Sequence, residues 1–315
     1  MSRLPDRLDF IPIHKLSTGE AGFFNKGIWL VRCKQNGKTY IEKRIGKNCI
    51  RSGHAAREAR AMAACNQPNL IAMFAANLDT CRLDYGSIYM QHCELGSLHD
   101  LLERFAQKRI GICEGFLWKV LWDVALALCY LQSGVDATQE AMNYRALSQR
   151  DKKRGWDAIM HRDIKPDNIL LTWKGAETQY PTVVLADFGC SVVSSDVVSD
   201  EMTAFTKAFA APEAPKYTET SDVYSLGLSV CCLAGLKDVP NRDYSGLRGD
   251  AAKLYGNHIN YVLRKCLERD HRNRPSALEL PSLVARENAK AREKIEERSK
   301  GGNIRREKLP DWAFA

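Results

Sequence analysis

Eight consecutive residues, His161-Arg162-Asp163-Ile164-Lys165-Pro166-Asp167-Asn168, put a carboxylate, an ammonium and an amide within one short stretch. A carboxylate such as Asp163 can accept or orient a proton. An ammonium two residues on, Lys165, can steady a polyanion. The amide oxygen of Asn168 is an uncharged, hard ligand of the kind Mg²⁺ takes. A further carboxylate, Asp187, opens Asp187-Phe188-Gly189 directly after the strand-like run Val183-Val184-Leu185-Ala186. It follows Asp163 by 24 residues (187 − 163). Lys43 ends Tyr40-Ile41-Glu42-Lys43, and Glu58 sits in an Ala-rich stretch. Each residue alone has a plain reading. A lone Asp caps or turns a chain, and an exposed Lys–Glu pair adds almost nothing to stability.

In this order the residues say more. The string 161–168 resembles the catalytic loop of the eukaryotic-type serine/threonine protein kinases, and it is specific where Asp-Phe-Gly alone is not. The resemblance implies an α+β, bilobal fold with a small β-rich N-lobe carrying one helix and a larger, mostly α-helical C-lobe. It implies transfer of the γ-phosphate of ATP to serine or threonine of a protein substrate. Asp163 and Lys165 are then the catalytic pair, Asp163 as base. Asn168 and Asp187 are the Mg²⁺ ligands, and Lys43, fixed by Glu58, holds the α- and β-phosphates. Lys165, where the tyrosine branch has Ala or Arg, resembles the serine/threonine branch.

Further positions match the same family. Ala211-Pro212-Glu213 closes the segment that Asp187 begins, and the resemblance implies a pair between Glu213 and Arg274. Asp222 matches the Asp that braces the catalytic loop and also reads as an ordinary N-cap. Thr206 aligns with the Thr that meets the catalytic Asp and Lys. Thr203 or Ser199 is the expected phosphosite for Arg162, set by an upstream activating kinase. Residues 88–98 resemble the hinge. There Met90 is the gatekeeper, the backbone of Gln91 and Cys93 meets adenine, Leu170 lies below the base and Ile41 above it.

The nucleotide loop departs from the family's GxGxxGxV. The chain reads Gly19-Glu20-Ala21-Gly22-Phe23-Phe24-Asn25-Lys26-Gly27-Ile28. Gly19 is in place, and Gly19 and Gly22 are the candidate phosphate-loop residues. Ala21 and Phe24 stand where later glycines belong, or else extra residues shift Gly27 and Ile28 into those places. Glycines let backbone N–H groups approach phosphate closely. The alternative reading is therefore a pseudokinase scaffold with a weakened nucleotide loop. A small-molecule phosphotransferase is a third reading, and Lys165-Pro166 and Ala211-Pro212-Glu213 argue against it. The TKAFAAPE segment and the stretch before His161 resemble NIMA-related, fungal kinases.

The elements that must position these residues follow from turn signals, composition and apolar spacing. Strands are predicted over 28–32 and 39–45 around Gln35-Asn36-Gly37-Lys38, then near 70–78 and 87–92. A helix is predicted over 54–65. Leu117, Val120, Leu121, Val124, Leu128 and Leu131 mark a buried helix face, and 222–233 is apolar nearly all round. A longer hairpin than the family's is expected around 173–181. The kinase resemblance covers about 10–285, with the N-lobe about 10–92 and the C-lobe about 96–285. Residues 133–157 read as a mobile surface insertion. Residues 286–315 read as a charged helix up to Lys300 and a loose tail beyond Gly301-Gly302.

Composition bounds the rest. The chain has 315 residues, 45% hydrophobic and 27% charged, with formal net charge +8. That charge suits an anionic ligand, but no clear nucleic-acid-binding pattern accompanies it. Eleven cysteines are scattered without CxxC pairs or zinc spacing, which points to free thiols in a reducing, intracellular compartment, cytoplasm or nucleus. No run of about 18 apolar residues occurs, so no membrane span is expected. Pro5, Asp6 and Arg7 interrupt any secretory h-region.

Overall fold

The computed structural model describes residues 7–17, 25–81, 83–173, 179–196, 206–240, 255–299 and 308–314. They form two units. The smaller takes residues up to 66, 70–93 and 187–191; the larger takes 67–69, 94–186 and the residues from 192 on.

The smaller unit is a five-stranded antiparallel sheet in the order β1-β2-β3-β5-β4. The strands are β1 (Phe10–Ser17), β2 (Asn25–Cys33), β3 (Thr39–Gly46), β4 (Met73–Asn77) and β5 (Tyr85–Gln91). Gly37, at φ 70°, makes the turn between β2 and β3 that its place in Asn36-Gly37 predicts. Alternation along β3 sends Ile41, Lys43 and Ile45 to one face, where their register partners on β5 are Met90, Ile88 and Gly86. The opposite face is aromatic. Phe10 stacks on Tyr89 at 3.7 Å, and Tyr40 on Phe74 at 4.3 Å. Glu42, buried on that face, accepts from Arg44, Ser87 and Tyr89, so its charge is paired rather than stranded.

Two helices accompany the sheet rather than the one expected: a single turn α1 (Lys47–Arg51) and α2 (His54–Ala64). The buried residues of α2 include Ala55, Glu58, Ala59 and Met62, an i, i+3, i+4, i+7 face. Small alanines let the helix lie close, and Glu58 is the polar exception on that face. Strand β1 is absent from the sequence reading. It is an edge strand with Ile11, Ile13 and Leu16 exposed, and Pro12 is tolerated there because an edge leaves N–H groups unpaired.

The larger unit is mostly helical. It contains α3 (Leu98–Lys108), α4 (Glu114–Ser133), α5 (Thr138–Met142), α6 (Ser221–Gly235), α7 (Asn257–Cys266) and α8 (Leu280–Ser299). Helices α4 and α6 are buried on almost every side, as their unbroken apolar runs require. Short strands complete the unit: β6 (Ile159–Met160) pairs β9 (Val192–Val193), and β7 (Ile169–Thr172) pairs β8 (Thr182–Leu185). The loop between β7 and β8 falls where the hairpin was expected, and residues 174–178 of it lie outside the described residues. No helix among the described residues is long and apolar enough to cross a membrane.

The stretch 133–157 is more firmly placed than its polarity suggests. Its Ala137 and Leu147 are buried against Leu126, Cys129 and Leu278. Trp156 packs on Tyr130 at 5.4 Å and donates to the Leu131 carbonyl at 2.9 Å. A few apolar anchors outweigh a charged majority because the charges can face water.

Gly134 ends α4 at φ 70°, and a Cβ there would lie 2.4 Å from the Trp156 ring. Gly155 has φ 72° with open space around it. Gly155→Ala meets only the left-handed backbone penalty, about 1 kcal/mol. Gly134→Ala adds overpacking against the indole, for a total of about 3 kcal/mol. Urea midpoints at unchanged slope should separate the two in that order.

Candidate active site

In the smaller unit the Lys43 ammonium sits between two carboxylates, 2.6 Å from Glu58 Oε1 and 2.7 Å from Asp187 Oδ1. β3 aims Lys43, and the buried face of α2 aims Glu58. Asp187 is in the left-handed region at φ 64°, so its carboxylate also accepts the Gly189 N–H at 3.3 Å. Phe188 is fully buried and anchors this turn. Burial alone would pull the Lys43 pKa down, but the Asp187 and Glu58 charges outweigh it and hold the pKa well above the ordinary lysine value. Lys43 therefore stays an ammonium. The pair's contribution is complete below the ordinary value of 10.5 and is lost only as pH rises beyond it. Ile41 and Met90 are register partners on the same face as Lys43. The Gln91 N–H donates to the Ala72 carbonyl at 2.9 Å and is engaged within this unit. Cys93 is buried at the end of this unit.

In the larger unit the loop 161–168 is organised around two carboxylates. Asp222 is buried and accepts the backbone N–H groups of His161 at 2.7 Å and Arg162 at 2.8 Å. Burial pushes its carboxyl above the usual range, against the pull of His161, the two N–H bonds and Arg162. His161 donates from Nε2 to the Ala186 carbonyl at 3.0 Å, which leaves Nδ1 to accept the Asp163 N–H at 3.4 Å. Asp163 then points its carboxylate at three partners. Asn168 Nδ2 donates to Oδ2 at 2.9 Å, Lys165 Nζ lies 3.2 Å from the same oxygen, and the Thr206 N–H donates to Oδ1 at 3.1 Å. Lys165 also donates to Thr206 Oγ1 at 2.7 Å. Because the Asn168 amide nitrogen is engaged by Asp163, its oxygen is the atom it can offer to a cation.

The Arg274 guanidinium, with no side-chain exposure, forks onto Glu213 with bonds of 2.6 and 2.7 Å. It also donates to the Glu268 and Arg269 carbonyls and lies over the Tyr224 ring. Burial raises the Glu213 pKa, but the Arg274 and Ser221 hydrogen bonds outweigh it and bring it to about 2.

Lys43, Glu58 and Asp187 thus converge in one unit, and Asp163, Lys165 and Asn168 in the other. Leu170 stands on β7 of the larger unit and bridges Ser97. Gly19, Ala21, Gly22 and Phe24 of the nucleotide loop, and Ser199 and Thr203, lie outside the described residues. Sequence reasoning missed three contacts. Tyr217 lies under the Arg162 guanidinium at 4.9 Å. Asp157 accepts from Ser194 and Ser195. Glu94 accepts from Thr172 Oγ1 and the Trp173 N–H, both at 2.7 Å. None has a local sequence signal, because each joins residues far apart in the chain or outside any motif.

Residues 150–283 match the protein kinase domain family. The matched stretch contains the loop 161–168, Asp187, Glu213, Asp222 and Arg274. The match and the two units together give the fold class as α+β, that of a protein kinase, with the sheet in the N-terminal part and helices in the remainder. It supports phosphoryl transfer to protein substrates, in a family that generally uses ATP and Mg²⁺.

The Glu213–Arg274 pair gives a pH test. A depressed carboxyl stabilises fully above its ordinary value of 4.5 and loses that contribution as pH falls toward about 2. Glu213→Gln removes the titrating group. Its melting temperature should fall below wild type at neutral pH, and the gap should narrow as pH drops through this window. Arg274→Met removes the main partner of the partly buried Glu213 carboxylate and leaves the Glu268 and Arg269 carbonyls without their donor, and should cost about 3 kcal/mol.

Proposed function

We propose that the chain is an ATP- and Mg²⁺-dependent protein kinase that phosphorylates serine or threonine. The observation that carries this reading is the Asp163 carboxylate, aimed by Asn168, Lys165 and Thr206 on a loop pinned by Asp222. Phosphoryl transfer asks little covalent work of a protein. It asks for an oriented hydroxyl and a neutralised polyphosphate.

The residues present fit those two demands. Lys43 is a permanent cation suited to the α- and β-phosphates, and Glu58 fixes it. Asp187 and Asn168 each offer a hard oxygen. A carboxylate and an amide oxygen are the kinds of ligand that Mg²⁺ takes alongside a substrate's phosphates. Bound there, Mg²⁺ would neutralise developing charge on the phosphates. Asp163 accepts the proton of the attacking hydroxyl. Lys165, beside Asp163, steadies the phosphoryl oxygens. Thr206 holds both in register through its N–H and hydroxyl. Met90, Ile41 and Leu170 supply apolar surface for adenine, and Gln91 and Cys93 supply backbone groups. Gly19 and Gly22 supply N–H groups to phosphate. The serine/threonine choice is supported by Lys165, and the TKAFAAPE segment supports a NIMA-related subtype.

The test is incorporation of labelled γ-phosphate into a generic protein substrate, followed by identification of the phosphorylated residue type. Wild type should label serine or threonine. Asp163→Asn should lower the rate about 10²–10⁴-fold, the range of a lost general base. Lys43→Met should abolish transfer while leaving the melting profile cooperative. Wild type that binds Mg-ATP yet transfers nothing, even after treatment with an upstream kinase, would replace this reading with the scaffold.

A further inference from the structure

One corner of the larger unit is built from residues far apart in the chain. The Trp312 ring lies 4.7 Å from Phe105 on α3, and the Lys108 ammonium sits over Trp312 at 5.3 Å. Arg104 donates to the Ala313 carbonyl at 3.1 Å. Phe314 meets the Trp173 ring edge-on at 5.7 Å. Leu309 and Ala313 are 4% and 0% exposed, although the charged composition around them suggested a loose tail. Residues 311–314 form one 3₁₀ turn, so Leu309, Trp312 and Ala313 recur at i, i+3 and i+4.

The two sides of this contact are chemically distinct. The α3 side offers an aromatic floor, Phe105 and Trp173, rimmed by two cations, Arg104 and Lys108. The other side offers an indole face for a cation, a carbonyl for a guanidinium, and two small apolar plugs. Cation–π contact and burial of Leu and Ala favour this pairing over a polar peptide of the same length. The corner also matters to its neighbours. Trp173 supplies through its N–H one of the hydrogen bonds that hold Glu94, the residue after Cys93.

We infer that α3 and Trp173 form a binding site for a short aromatic peptide of the pattern Leu-Pro-Asp-Trp-Ala-Phe, and that its occupant is this chain's own segment 308–314, held in cis. A short segment has few contacts with which to offset the freedom lost on association. Because the segment belongs to the same chain, its association is intramolecular, and connection over a few residues gives an effective concentration of about 1 mM. Occupancy above nine-tenths then needs an intrinsic Kd below about 0.1 mM. The inference rests on these contacts and not on phosphate transfer.

The test is a variant ending at residue 307, titrated with a fluorescent synthetic peptide of residues 306–315. The truncated chain should bind the peptide saturably with Kd below about 0.1 mM. The full chain should bind it at least about tenfold more weakly, because its site is filled. A peptide carrying Trp312→Ala and Phe314→Ala should not bind. Peptide should also raise the melting temperature of the truncated chain. Absence of saturable binding to the truncated chain, or equal binding by the full chain, overturns the inference. Should the truncation fail to fold, Ala313→Cys in the full chain gives a second reading. Alkylation at 313, located by mass spectrometry, should be slow and should speed at least about tenfold when Trp312→Ala is added. An unchanged rate overturns the inference. Asp163→Asn should leave every one of these results as it was, which separates this site from the proposed reaction.

Discussion

Two backbone N–H groups, from His161 and Arg162, converge on one buried carboxylate, and the direction of the following residues is set there. Arg162 takes the left-handed backbone region at φ 70°, which is unfavourable for a non-glycine residue. Asp222 offsets that strain with two charge-assisted bonds from a rigid helix start. Asp163 follows at once, and its own N–H is fixed by His161. Helix α6 holds Asp222, Asp222 holds the loop, the loop carries Asp163, and Asn168, Lys165 and Thr206 then fix the Asp163 carboxylate. Precision of this kind is what the proposed hydroxyl activation would require, since small displacements of a reacting group cost rate steeply.

The smaller unit solves a different problem, keeping a charge in a largely buried place. Burial disfavours the Lys43 ammonium, and two carboxylates reverse that preference. One of the two is deeply buried and belongs to the scaffold; the other is far more exposed. A buried ion pair is weak evidence for stability, since an apolar pair of equal volume often does as well. Its presence on an otherwise alanine-rich helix face is better explained by a requirement for a fixed positive charge than by packing.

Much of this was legible from residue order. The loop 161–168 is contiguous, so the chemistry proposed for it is written in eight adjacent letters. Strands β2 and β3 follow from the turn signal between them, α2 from its alanine-rich composition, α4 from its three- and four-residue apolar spacing and α6 from its unbroken apolar run. Other features were not legible for physical reasons. Strand β1 is an edge with several apolar residues facing water, so it lacks the alternation of a half-buried strand. The stretch 133–157 is fixed by a few residues, among them Ala137, Leu147 and Trp156, too sparse to outweigh its charges in a composition count. Leu309 and Ala313 likewise follow a run rich in lysine, arginine and glutamate that dominates the composition of the segment. The contacts of Glu94, Asp157 and Tyr217 join distant parts of the chain and have no local pattern at all.

The smaller unit is not continuous in sequence: residues 187–191 return to it after the chain has passed through much of the larger one. Lys43 and Asp187 are separated by 144 positions. During synthesis at about 10 residues per second, the sheet and its helices leave the ribosome on the order of ten seconds before Asp187 does. In that interval Lys43 has Glu58 alone as a partner, and the unit exists without its last piece. Closing so long a loop is an entropic cost that later contacts must offset. Completion of the cationic centre is therefore a late event in the birth of the chain, and it reports that the intervening helices have already been made.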